Sequence, residues 1–84
     1  MVTATVDNNP VSVGLNNEES VTIPTGEVWK LHVCLPNNGY AYINGYYAFQ
    51  NSHGDISDWE VVLTGGDTIK SKNGEMYLCG LQIK

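Results

Sequence analysis

Eighty-four residues allow one domain, spanning residues 1–84, and such a short chain buries only about 60–65% of its unfolded surface. A formal net charge of −5, from four lysines, no arginine and nine acids, excludes the basic footprint that nucleic acid or an anionic membrane surface requires. No apolar run reaches 18 residues and no signal-peptide core is visible, so neither a membrane span nor a secretory signal is expected.

In chain order, Val2, Ala4 and Val6 alternate with Thr3 and Thr5 as a first strand, which Asp7-Asn8-Asn9-Pro10 is expected to end. Val11, Val13 and Leu15 predict a second strand, stopped by Asn16-Asn17-Glu18-Glu19. Ser20 to Leu35 reads as a hairpin: Val21 and Ile23, then the turn Pro24-Thr25-Gly26-Glu27, then a longer strand. In that strand Trp29, Leu31, Val33 and Leu35 share one face, and Lys30, His32 and Cys34 share the other. Pro36-Asn37-Asn38-Gly39 turns the chain again.

Tyr40 to Phe49 is the clearest hairpin signal, because Asn44-Gly45 suits a type I′ turn, which needs two residues at positive φ. Strict alternation from that turn opposes Ile43 to Tyr46, Tyr42 to Tyr47, Ala41 to Ala48 and Tyr40 to Phe49. Tyr40, Tyr42, Tyr47 and Phe49 then share one face, with Ile43, Tyr46 and the alanines on the other. Gln50 to Asp58 is a polar loop, and Trp59, Val61 and Leu63 open another strand. Thr64-Gly65-Gly66-Asp67 turns it, Thr68 to Lys72 returns, and Asn73-Gly74 predicts a second hairpin turn. The last strand, Glu75 to Lys84, is expected to direct Tyr77, Cys79, Leu81 and Ile83 inward. No window carries a helical period. The expected fold is all-β, a compact antiparallel β-sandwich of jelly-roll type with about eight strands.

Two cysteines permit at most one bridge. Two free, packed thiols of a reducing cytoplasm is the simpler reading, and a Cys34–Cys79 bridge stays open. Oligomerisation is then the remaining source of extra stability.

VVLTGGDTI (Val61 to Ile69), followed by YLCGLQI (Tyr77 to Ile83), resembles the end of the trimeric jelly rolls of complement-type globular heads and tumour-necrosis-factor-like domains. VTIPTGEVWKL, the short YINGY hairpin and LTGGDTI together resemble small β domains of tailed-phage virion proteins, at fibre tips or in accessory structural proteins. The resemblance covers about Val21 to Ile83. It implies a homotrimeric structural protein of the virion, made in the host cytoplasm, bound to other virion proteins at a fibre tip or on the capsid surface. A fibre tip would contact a host surface glycan. The chain departs from fibre proteins in lacking a repetitive shaft before the β domain, which leaves a free-standing accessory protein open. A free-standing carbohydrate-binding module and a non-catalytic accessory domain of an enzyme are the alternatives.

His32, His53, Ser57, Asp55 and Asp58 could be combined into a hydrolase triad, but no nucleophile elbow accompanies them, so no enzyme is expected. Asp55 with Asp58, or Asp7 with Glu18 and Glu19, offers oxygen ligands without the spacing of a calcium loop. His53 with Cys34 or Cys79 lacks the paired spacing of a zinc site, and neither metal nor cofactor is expected. Tyr40, Tyr42 and Tyr47, with Asn37, Asn38 and Asn51 near them, have the chemistry of a sugar site: aromatic faces stack on pyranose rings and amides bind hydroxyls. The same tyrosines suit a core or a subunit interface, and burial of this face, with an interface absorbing what the core cannot, is expected over a sugar site. Trp29 and Trp59, each opening an apolar face, are expected to anchor the core.

Overall fold

The computed structural model describes residues 9–52 and 57–84, and the backbone alone of Ser57. The expected strand at Val2, Ala4 and Val6 lies outside these residues, as do His53, Gly54 and Asp55. Eight strands are described: β1 (Asn9–Leu15), β2 (Ser20–Thr22), β3 (Val28–Leu35), β4 (Tyr40–Ile43), β5 (Tyr46–Gln50), β6 (Ser57–Thr64), β7 (Thr68–Lys72) and β8 (Met76–Gln82). They form two four-stranded antiparallel sheets, ordered β1-β8-β3-β6 and β2-β7-β4-β5. This is the strand order of a jelly roll, and the all-β sandwich expected from the alternating pattern is the fold observed. Asn9 and Pro10, expected to end a strand, instead begin β1, where Pro10 sits on a sheet edge that needs no N–H from it.

Of the seven connections between these strands, six pass from one sheet to the other, and β4–β5 alone stays within a sheet. The turn at Pro24–Glu27 therefore joins β2 of one sheet to β3 of the other, and does not make the hairpin its sequence suggested. Thr64–Asp67 and Asn73-Gly74 cross in the same way. Turn residues set the local reversal, but the apolar faces of flanking strands decide what each strand pairs with. These crossing turns are stitched to each other: Gly65 N–H donates to Glu27 O (2.9 Å) and Gly66 N–H to Ile23 O (2.9 Å).

The core lies between the sheets and contains Leu15, Ile23, Leu31, Val33, Leu35, Ala41, Leu63, Ile69, Met76 and Leu78. Across the first sheet, Val13, Leu78, Val33 and Trp59 make one inward row. That row corrects the reading of β8. Its inward residues are Met76 and Leu78, whereas Tyr77, Cys79 and Leu81 face outward. Counting apolar residues favoured the wrong parity, because Gly80 and Gln82 dilute the inward set. Gly80 lies between Val11 and Leu31, where an added Cβ would collide with the Lys30 carbonyl.

The β4–β5 turn has the expected geometry, with φ of 54° at Asn44 and 83° at Gly45. The register holds for Ile43–Tyr46 and Tyr42–Tyr47 and then shifts, so that Ala41 faces Phe49 and Tyr40 faces Gln50. Ala48 is the extra residue of this β-bulge, which reverses the parity beyond it. Phe49 therefore leaves the tyrosine face and points inward, stacked on Trp59 with ring centroids 5.3 Å apart and planes 17° from parallel. Trp29 and Trp59 are partly buried and pack against the core. Trp29 Nε1 donates to Glu27 Oε1 at 2.9 Å.

Candidate functional site

The outer face of the second sheet collects the tyrosines singled out above. β-Strand alternation carries Tyr40 and Tyr42 outward on β4, and the register set by the turn places Tyr47 outward on β5, opposite Tyr42. The Tyr47 ring lies 6.3 Å, centroid to centroid, from both Tyr40 and Tyr42, tilted against each by about 60°. The chain covers them in part: Tyr40 and Tyr42 are half-buried, and Tyr47 is 59% exposed. Of the four aromatics expected to be buried in a core or an interface, Phe49 packs against the core, Tyr40 and Tyr42 are half-buried, and Tyr47 is exposed in the single chain. Tyr47 Oη donates to Gln50 Oε1 at 3.1 Å, which fixes one edge of the cluster.

β7 supplies what inspection of the tyrosines alone missed. Lys70 lies directly opposite Tyr42, and Lys72 opposite Tyr40. Ser20 of β2 pairs with Lys70, so Ser20, Lys70, Tyr42 and Tyr47 form a row across all four strands. Lys72 Nζ stands 5.9 Å from the centre of the Tyr42 ring, a cation–π distance. The signal was present in the sequence as the alternation Thr68, Lys70, Lys72, but it could not be placed until β7 was known to neighbour β4.

At one end of this face the loops before β2, β4 and β8 meet. Asn73 N–H donates to Asn17 Oδ1 at 2.7 Å, and Asn73 Nδ2 to Asn38 O at 2.8 Å. An open depression of about 280 Å³ lies there, lined by Asn17, Glu18, Tyr40, Lys72 and Asn73. Asn37 and Asn38 are exposed in the adjoining loop. Asn51 is not a surface ligand group. It is fully buried, and its Nδ2 donates to Leu35 O at 3.0 Å while its backbone bonds Gly39 and Asn38.

The outer face of the first sheet carries different chemistry. His32 Nδ1 lies 3.3 Å from Asp58 Oδ2, and its Nε2 lies 3.7 Å from Glu60 Oε2. Lys30 pairs with Glu60 at 3.5 Å. Cys34 and Cys79 share this face as neighbouring free thiols. Burial pushes the Cys34 thiol up, and the neighbouring Cys79 and Asp58 push it further. A thiol shifted that way is a poorer nucleophile at neutral pH. The His32–Asp58 contact is the part of the candidate triad that the described residues bring together. Among them, no group of three His, Cys, Asp or Glu side chains is placed to hold a metal ion.

The chain matches no family model, no curated protein and no solved structure.

Proposed function

We propose that this chain is a non-catalytic jelly-roll module of a tailed-phage virion, assembled as a homotrimer, whose Tyr40–Tyr42–Tyr47 face binds a saccharide of the host surface. The observation that carries the binding role is the outward cluster of three tyrosines on a hydrogen-bonded sheet. Apolar ring faces held by strands need little ordering on binding, and hydroxyls, amides and lysines around them supply directional partners. The virion assignment rests on the sequence resemblance from Val21 to Ile83, with a jelly roll as the fold that resemblance implies. A fold hosts many functions, so it supports the reading without carrying it.

Homotrimerisation has support on the opposite side of the sandwich. Val62 (53% exposed), Tyr77 (53%) and Leu81 (39%) stand out on the outer face of the first sheet. Contact between copies through that face would leave three tyrosine faces free, and avidity would multiply a weak single-site affinity. A free-standing carbohydrate-binding module would use the same tyrosines without the assembly.

A glycan array on the isolated chain, run beside Tyr42→Ala and Tyr47→Ala, tests the binding role. The expected result is glycan capture that both variants lose while sedimentation and melting temperature stay unchanged. No capture, together with an oligomer that Tyr42→Ala dissociates, would make this face a subunit contact instead.

A further inference from the structure

We propose that the tyrosine face takes a carboxylate-bearing saccharide, with Lys70 as the cation that meets the carboxylate and Lys72 as its support. This rests on the saccharide reading above and adds the chemical class of the sugar.

The argument is one of local charge. The chain carries a net charge of −5, yet two of its four lysines project from this one face. Lys30, on the other sheet, is already paired with Glu60. Among the described residues, Lys70 and Lys72 enter no ion pair. The outward strand positions around them hold tyrosine, serine, threonine and glutamine, and no carboxylate. The acids nearest in the fold are already placed at the two ends. Glu18 lines the depression beside Lys72, Glu19 Oε1 accepts from Asn16 N–H in the same loop, and Asp67 is engaged with Thr64 and Asn44. Lys70 lies between these ends, in the row with Tyr42 and Tyr47. The chain's overall negative charge does not cancel this, because free charges are screened beyond about 8 Å at physiological ionic strength.

Geometry selects a carboxylated sugar over other anions. Strands lie about 4.8 Å apart, so Lys70 and Tyr47 are separated by roughly 10 Å across the sheet, with Tyr42 between them. The Tyr42 and Tyr47 rings are about 60° apart, so a pyranose stacks on one of them and meets the other edge-on, beside Lys70. The carboxylate of a uronic or sialic acid is bonded directly to a ring carbon, so it leaves the ring without a spacer, within a lysine stem's reach of Lys70. A sulfate ester stands off on an extra oxygen and torsion. A nucleic acid would gain only about two phosphate contacts, too few for appreciable binding at physiological salt.

The test is a printed array of uronic- and sialic-acid oligosaccharides, each beside its neutral methyl ester and its O-sulfated analogue, with an oligothymidylate control. The expected result is binding to the acids about tenfold tighter than to the esters. Lys70→Met with Lys72→Met should remove that difference between acid and ester, while Tyr47→Ala weakens acids and esters alike and keeps the acid preference. Equal binding of acids and esters would overturn the role of the lysines and leave the saccharide reading standing. Equal or tighter binding of the sulfated forms or of oligothymidylate would overturn the carboxylate assignment. An acid preference that survives the double lysine substitution would overturn the site, and binding to none of the sugars would overturn the saccharide reading itself.

Discussion

The two sheets divide the work unequally. The first has strands of seven, seven, eight and eight residues in β1, β8, β3 and β6; the second has three, five, four and five in β2, β7, β4 and β5. Most of the buried apolar side chains also belong to the first sheet: Leu15, Leu31, Val33, Leu35, Leu63, Met76 and Leu78, against Ala41 and Ile69 from the second. The short sheet is held by being laid on the long one, and its outer face is correspondingly free to carry tyrosines and lysines that stabilise little. A small domain can present binding chemistry on a sheet face when the opposing sheet supplies the core.

The largest test of that contrast is Leu78→Ala. Leu78 is 1% exposed and lies between Val13 and Val33 at the centre of the long sheet. Its truncation should cost about 3–5 kcal/mol, a large share of the total for a domain of this size, seen as a lower denaturant midpoint at unchanged slope. Gly80→Ala follows, at about 2–3 kcal/mol, because the new methyl must displace the Lys30 carbonyl and with it the β3–β8 ladder. If either variant melts like the parent, the long sheet is not the main source of stability.

These two positions also show where the sequence was legible. The inward set Trp29, Leu31, Val33 and Leu35 was readable from period two alone, since β3 alternates without interruption and its other side is charged or polar. β8 was not, because both of its faces carry apolar residues and only its neighbours β1 and β3 choose between them. The two Asn-Gly pairs make the same point. Asn44-Gly45 and Asn73-Gly74 both take positive φ, yet the first closes a hairpin and the second crosses between sheets. Local chemistry fixed the reversal at each, and long-range pairing fixed its meaning. At the candidate site, Tyr40, Tyr42 and Tyr47 were legible from the turn. The bulge at Ala48 that removed Phe49, and the placement of Lys70 beside Tyr42, depended on contacts distant in sequence.

On the short sheet the expected effects are smaller. Tyr47→Ala removes a ring that is mostly in water, along with one exposed hydrogen bond to Gln50. A change of less than about 1 kcal/mol in unfolding free energy is expected, with the loss appearing in saccharide binding instead. A destabilisation as large as that of Leu78→Ala would remove the contrast between the sheets and return the tyrosines to a structural role.

The smallest expected effect concerns the joint between the sheets. Asp67 ends the β6–β7 crossing, where Oδ2 accepts from Thr64 N–H at 2.9 Å and Oδ1 accepts from Asn44 Nδ2 at 3.1 Å. The Thr64 backbone N–H, and after it the Asn44 amide, hold the Asp67 carboxyl below the ordinary aspartate range. A carboxyl depressed in the folded state binds a proton less readily than in the unfolded chain. Its contribution is therefore complete above the ordinary aspartate pKa and is lost as pH falls through the lower, folded value. Asp67→Asn should accordingly lower the melting temperature slightly at neutral pH, and the two melting curves should converge as the solution is acidified through that window. A difference that persists unchanged at the lowest pH would show that the carboxylate's charge is not what ties the β4–β5 turn to the crossing, and that the bonds between Asn44 and Thr68 hold that joint without it.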